Sequence, residues 1–157
     1  EKAKAMGMEV WAYDPFVPAE KMQAEGVKPA ASIEELYSNC DYVSLHIPAN
    51  DQTKNSINYE LLSKMPKGAC LVNTARKEVI NEADMAKLLA ERTDFKYVTD
   101  IAAGNNDELA AFAPRYFATP KKMGAQTAEA NLNAGLAAAN QIVDFIKNGV
   151  TKFQVNK

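Results

Sequence analysis

The chain has 157 residues, 47% of them hydrophobic, and its 18 basic and 20 acidic side chains leave a net charge of -2. That suffices for one domain with a substantial core, gives nucleic acid no electrostatic purchase, and with no run of 18 apolar residues supplies no membrane-spanning segment. Cys40 and Cys70 lack a Cys-x-x-Cys spacing and the sequence holds a single histidine, so no zinc site is expected and the cysteines read as small buried residues of a reduced, cytoplasmic protein.

In chain order, Glu1 to Met6 reads as the last turns of a helix stopped at Gly7, where a left-handed cap needs no Cβ. Met8 to Tyr13 reads as a strand ending in Asp14-Pro15. An acid at such a strand end can grip the ribose hydroxyls of a dinucleotide. An Asp before Pro is equally ordinary turn chemistry. Pro18 to Glu25 reads as a short helix closed by Gly26, and Ser32 with Glu35 forms a capping box for a helix running to Asn39. Tyr42 to Ile47 is the next strand, closed by Pro48 and carrying His46; a lone histidine there is most simply a packed or hydrogen-bonded residue.

A polar stretch, Asn50 to Asn58, leads into a helix near Tyr59 to Met65, and Pro66-Lys67-Gly68 turns the chain. The segment Ala69 to Ile80 then rises through a buried strand to Asn73, Thr74 and Ala75, with Arg76 following where an open α/β sheet presents its ligand crevice. A guanidinium at that place offers a planar fork to a carboxylate. Asn81 caps a helix with Met85, Leu88 and Leu89 on one face, ending near Arg92. Lys96 to Ile101 is a strand with Asp100 near its end, Ala102 to Arg115 reads as loop, and Tyr116 to Ala118 as a short strand. From Thr127 to Asn148 a helix spaces Leu132, Leu136, Ala139, Val143 and Ile146 as a core-facing stripe, and Gly149 ends it.

The strand-helix alternation predicts an α/β fold with a doubly wound, mostly parallel sheet and helices on both faces. It is Rossmann-like but incomplete. The first strand and the glycine-rich turn that should precede Asp14 by about 20 residues are not found, since none of the seven glycines has that spacing. Strands next to the missing one are expected to have unpaired edges.

The order Ala-x-Gly-Met-x-Val-x-Ala-Tyr-Asp-Pro from Ala5, Tyr-Val-Ser-Leu-His-Ile-Pro, Leu-Leu-x-Lys-Met-Pro-Lys-Gly-Ala, Val-Asn-Thr-Ala-Arg and Thr-Pro-Lys-Lys-Met-Gly-Ala-Gln-Thr resembles the D-specific 2-hydroxyacid dehydrogenases over nearly the whole chain. The last stretch is most similar to D-3-phosphoglycerate dehydrogenases that lack a regulatory domain. The resemblance implies a hydride exchange between NAD and a small-molecule 2-hydroxy acid. It implies that Asp14 binds the adenosine ribose, that Thr74, Ala75 and Asp100 approach the nicotinamide amide, that His46, Pro48 and Gly124 complete the cofactor site, and that Arg76 holds the substrate carboxylate.

The family's usual catalytic His after Thr-Pro and its partner Glu are not reproduced. Lys121 or Lys122 stands at the His position, and the Glu position falls near Asn105. Either one lysine accepts the hydroxyl proton, which requires a lowered pKa, or catalysis is lost and the domain senses nucleotide. The resemblance also implies a two-domain parent. On that reading residues 1–148 are the C-terminal portion of an NAD-binding domain, 149–157 return toward a substrate domain not present here, the fragment alone is inactive, and the full-length protein is a homodimer.

Overall fold

The computed structural model describes residues 1–120 and 127–156, in two compact units, residues 1–120 and 121–157. In the first unit the order is α1 (Lys2–Ala5), β1 (Trp11–Ala12), α2 (Ala19–Ala24), β2 (Lys28–Pro29), α3 (Ile33–Asn39), β3 (Tyr42–Leu45), α4 (Tyr59–Ser63), β4 (Cys70–Asn73), a 3-10 turn (Lys77–Val79), α5 (Glu82–Glu91), β5 (Lys96–Thr99), α6 (Asn106–Ala110) and β6 (Tyr116–Ala118). The second unit contains α7 (Ala128–Asn148).

All strand pairings are parallel. Four strands lie in the order β3-β4-β5-β6 and a separate pair joins β1 to β2. β1, β2, β3 and β6 therefore each have one edge with no strand partner among the described residues. The register sets Val43, Leu71, Tyr97 and Tyr116 side by side, and Leu45 beside Asn73 and Thr99. These are buried. Because side chains alternate between faces, Tyr42, Ser44 and Phe117 fall on the other face and are exposed. The core behind the buried face is completed by Leu61, Leu62 and Met65 from α4 and beyond it, Met85, Leu88 and Leu89 from α5, and Phe95, all nearly inaccessible.

Local chemistry accounts for the helix starts. The Oγ of Ser32 accepts from the Glu35 N–H at 3.1 Å while the Glu35 carboxylate accepts from the Ala31 N–H at 2.6 Å, a capping box displaced by one residue on its return side. Asn58 and Asn81 cap α4 and α5 by accepting from the Leu61 and Asp84 N–H groups. Asp84 reaches back to the Tyr59 N–H at 3.0 Å and so ties the starts of α4 and α5 together.

Three local expectations are corrected. The strand foreseen over residues 8–13 pairs only at Trp11–Ala12, β2 is an additional two-residue strand, and the 102–115 stretch contains a helical turn, α6, that buries Leu109. In the second unit, α7 has the bounds its sequence announces: the Thr127 Oγ1 accepts from the Ala130 N–H at 3.1 Å, and Gly149 closes it at φ 64°. Its stripe, however, is not buried. Leu132 and Ile146 are 62% and 75% exposed, because among the described residues its own unit contains no second element to cover them.

Candidate active site

The site is built at the carboxyl ends of β3 and β4, where ligands of open parallel sheets bind. A cavity of about 330 Å³ is lined by His46, Ile47, Pro48, Thr74, Ala75 and Arg76. Five residues singled out from sequence, separated by up to 30 positions, thus converge on one hollow. Pro48 ends β3's extension because it cannot continue the ladder. The His46 Nε2 lies 3.0 Å from the Ser44 Oγ two residues earlier on the same face, so the imidazole is hydrogen-bonded at the rim.

The turn after β4 is built by its last residue. Asn73 is fully buried, and its Oδ1 accepts from the Ala75 N–H at 3.0 Å while its Nδ2 donates to the Arg76 carbonyl at 2.9 Å. The backbone at Arg76 is extended, at φ -141° and ψ 141°. The guanidinium is exposed and donates through Nη1 to the Ala75 carbonyl at 2.9 Å. A fork of five donors spends one of them there.

Asp100 is not among the residues that line the cavity. Its N–H donates to the Asn73 carbonyl at 3.2 Å, and its own carbonyl accepts from the Thr119 hydroxyl at 3.0 Å. Below it the Thr99 hydroxyl donates to the Asn73 carbonyl at 2.9 Å. Tyr97 packs against Tyr116 with ring centroids 5.6 Å apart, and burial pushes both phenols above their ordinary pKa.

Asp14 lies outside this hollow, at the end of β1. It is exposed, and its Oδ1 accepts from the Phe16 N–H at 2.8 Å. One carboxylate oxygen thus shapes the Asp-Pro turn, and the residue stands exposed at the strand end. Lys121, Lys122 and Gly124 lie outside the described residues. Asn105 donates to the Glu82 carbonyl and to Glu108, and its buried Oδ1 has no partner among the described residues. The Glu82 carboxylate reaches the same loop, accepting from the Gly104 N–H at 2.5 Å. An acid is therefore present at that loop although the 102–105 sequence has none. Its only signal was its place in the first turn of α5.

The residues present suit two parts of a dinucleotide. An exposed carboxylate at a strand end matches a ribose diol, and a hollow lined by strand-end backbone matches a nicotinamide amide. No glycine-rich turn for a pyrophosphate is found in these 157 residues.

Comparison with known proteins agrees. D-3-phosphoglycerate dehydrogenase of Methanocaldococcus jannaschii is 31% identical over 99% of the chain and 30% of the relative, and that of Haemophilus influenzae 33% over 98% and 38%. The crystal structure of NAD+-bound 3-phosphoglycerate dehydrogenase from Entamoeba histolytica superposes with a TM-score of 0.82 at 46% identity, covering 99% of this chain and 49% of that one. The chain spans between about a third and a half of the length of these relatives. Residues 1–121 match the family described as D-isomer specific 2-hydroxyacid dehydrogenase, NAD binding domain, and the chain belongs to that family.

Proposed function

We propose that the chain is the C-terminal part of the NAD-binding domain of a dehydrogenase that interconverts 3-phosphoglycerate and 3-phosphohydroxypyruvate. The observation that carries this reading is Arg76 at the mouth of a strand-end cavity, in a chain 46% identical to an NAD+-bound 3-phosphoglycerate dehydrogenase. Arg76 holds the substrate carboxylate through two parallel N–H donors, which fixes C2 beside the nicotinamide face. NAD, when bound, supplies the hydride acceptor. Asp14 and the backbone at Thr74 and Ala75 hold and orient its ribose and amide ends, with His46, Pro48, Asp100 and Gly124 around them.

As the C2 hydrogen leaves with its electron pair, the hydroxyl proton passes to a base and the C–O bond becomes a carbonyl. The base in this reading is Lys121 or Lys122, a role that requires a pKa below the ordinary lysine value. The same reading makes the full-length protein a cytoplasmic homodimer serving serine biosynthesis, with a second domain completing the substrate site. A different 2-hydroxy acid is the second reading. It is favoured by the 38% identity, over 91 residues, to the (S)-sulfolactate dehydrogenase of Chromohalobacter salexigens.

The test is NAD-linked oxidation of D-3-phosphoglycerate by the full-length protein from about pH 6 to about pH 10, beside Lys121→Ala and Lys122→Ala. One variant is expected to lose activity by roughly a hundredfold or more, with the wild-type rate rising through an alkaline pKa. Full activity in both variants sends the proton elsewhere, and oxidation of sulfolactate in place of phosphoglycerate selects the second reading.

A further inference from the structure

We infer that Asn73 is a positioning residue for the substrate clamp, acting through Arg76. Three observations place it there. Its side chain is 0% exposed, and apart from a long 3.5 Å contact from Nδ2 to the buried Tyr97 hydroxyl the amide is spent on the turn. One end accepts from the Ala75 N–H and the other donates to the Arg76 carbonyl, at 3.0 and 2.9 Å, so the two residues that form the turn are stapled from inside. Its own carbonyl accepts from the Thr99 hydroxyl and the Asp100 N–H, at 2.9 and 3.2 Å, which locks the same residue to the neighbouring strand end.

A buried amide that satisfies two backbone groups at once removes the alternatives open to the turn, because either group left without a partner would carry a desolvation penalty. The direction in which the Arg76 side chain leaves the backbone is thereby set before any carboxylate arrives. Clamping geometry is sensitive to such support, with a displacement of about 1 Å costing on the order of a hundredfold in rate. The sequence permits no simpler substitute. Ser or Thr is too short to reach both groups, and Leu fills the space with nothing to offer either.

This inference rests on the dehydrogenase reading above, and its test separates the two. In the full-length protein, NADH-dependent reduction of the keto acid is measured for wild type, Asn73→Leu, Asn73→Asp, Arg76→Ala and the Asn73→Leu/Arg76→Ala double variant. Asn73→Leu is expected to raise KM for the keto acid by roughly tenfold or more while KM for NADH stays within about twofold, and Asn73→Asp, which keeps the acceptor for Ala75, to recover part of that loss. In the Arg76→Ala background the same Leu substitution is expected to change kcat/KM by less than about twofold, since a residue acting through Arg76 has nothing left to position.

Equal losses in both backgrounds, or a loss that falls on NADH, overturn the inference. Should Asn73→Leu not fold, Asn73→Ser takes its place in both comparisons. Absence of wild-type turnover defeats the dehydrogenase reading alone. Positioning is then decided by amide exchange in the same protein, where faster exchange at Ala75 than at Leu71 upon substitution upholds it and unchanged exchange at Ala75 rejects it.

Discussion

At the scale of single residues, the proposed carboxylate clamp turns on how a guanidinium differs from an ammonium. Arg76 spends one donor on the Ala75 carbonyl and retains a planar fork, whereas a lysine would present a point charge on a flexible stem. Arg76→Lys in the full-length enzyme is therefore expected to lower kcat/KM for the 2-hydroxy acid by more than about tenfold with little change in NAD affinity. Steady-state kinetics with each substrate varied in turn checks this, and an unchanged rate removes Arg76 from the clamp. The place of Arg76 at the cavity was legible in the sequence because it follows a buried strand that ends in polar residues. Asn73 was visible as one of those polar residues, but not what it does. A strand-terminal Asn looks the same whether its amide meets solvent or staples a turn, and only the two backbone distances distinguish the cases.

Among the elements, legibility tracked length and cap chemistry. β3, β4 and α5 are long enough for period and cap to agree, and Asn81 stands where its side chain can accept from the Asp84 N–H at 3.2 Å. Asn81→Ala is expected to destabilise the chain by about 1 kcal/mol, read from the urea midpoint at unchanged slope. Shorter elements were hidden. α6 begins within a run of Gly104, Asn105 and Asn106 that signals a turn and buries only Leu109, and a two-residue strand such as Lys28–Pro29 has no period to read. α7 shows the opposite case. Its caps and stripe were both legible, but whether a stripe is covered depends on a neighbour, which no periodicity within the helix can report.

For the first unit taken whole, a clasp lies at the opposite ends of the strands from the cavity. Arg92 donates to the carbonyls of Met65 and Pro66 at 2.7 and 2.8 Å and pairs with Asp94, which also accepts from the Gly68 N–H at 2.7 Å. These partners hold the Asp94 carboxyl well below the usual carboxylate range, the hydrogen bond from Arg92 foremost. A depressed folded value means that the stabilisation is complete above the unfolded pKa of about 3.9 and is lost as pH falls through the folded one. Wild type is thus expected to be more stable than Asp94→Asn at neutral pH, with the gap narrowing once pH drops below about 4. Thermal unfolding of both along an acid series measures it, and a gap independent of pH would show that the carboxylate charge is not what the clasp uses.

The order of the larger sheet has one more consequence. Since β3, β4, β5 and β6 are neighbours in space in the same sequence in which they occur in the chain, each strand finds its template already made by the one synthesised before it. During translation the sheet can grow outward from β3 one strand at a time, and no strand has to be threaded between two that have already paired. The strand ends that frame Arg76 come together as soon as β4 is laid beside β3, and β5 and β6 then brace them from the far side.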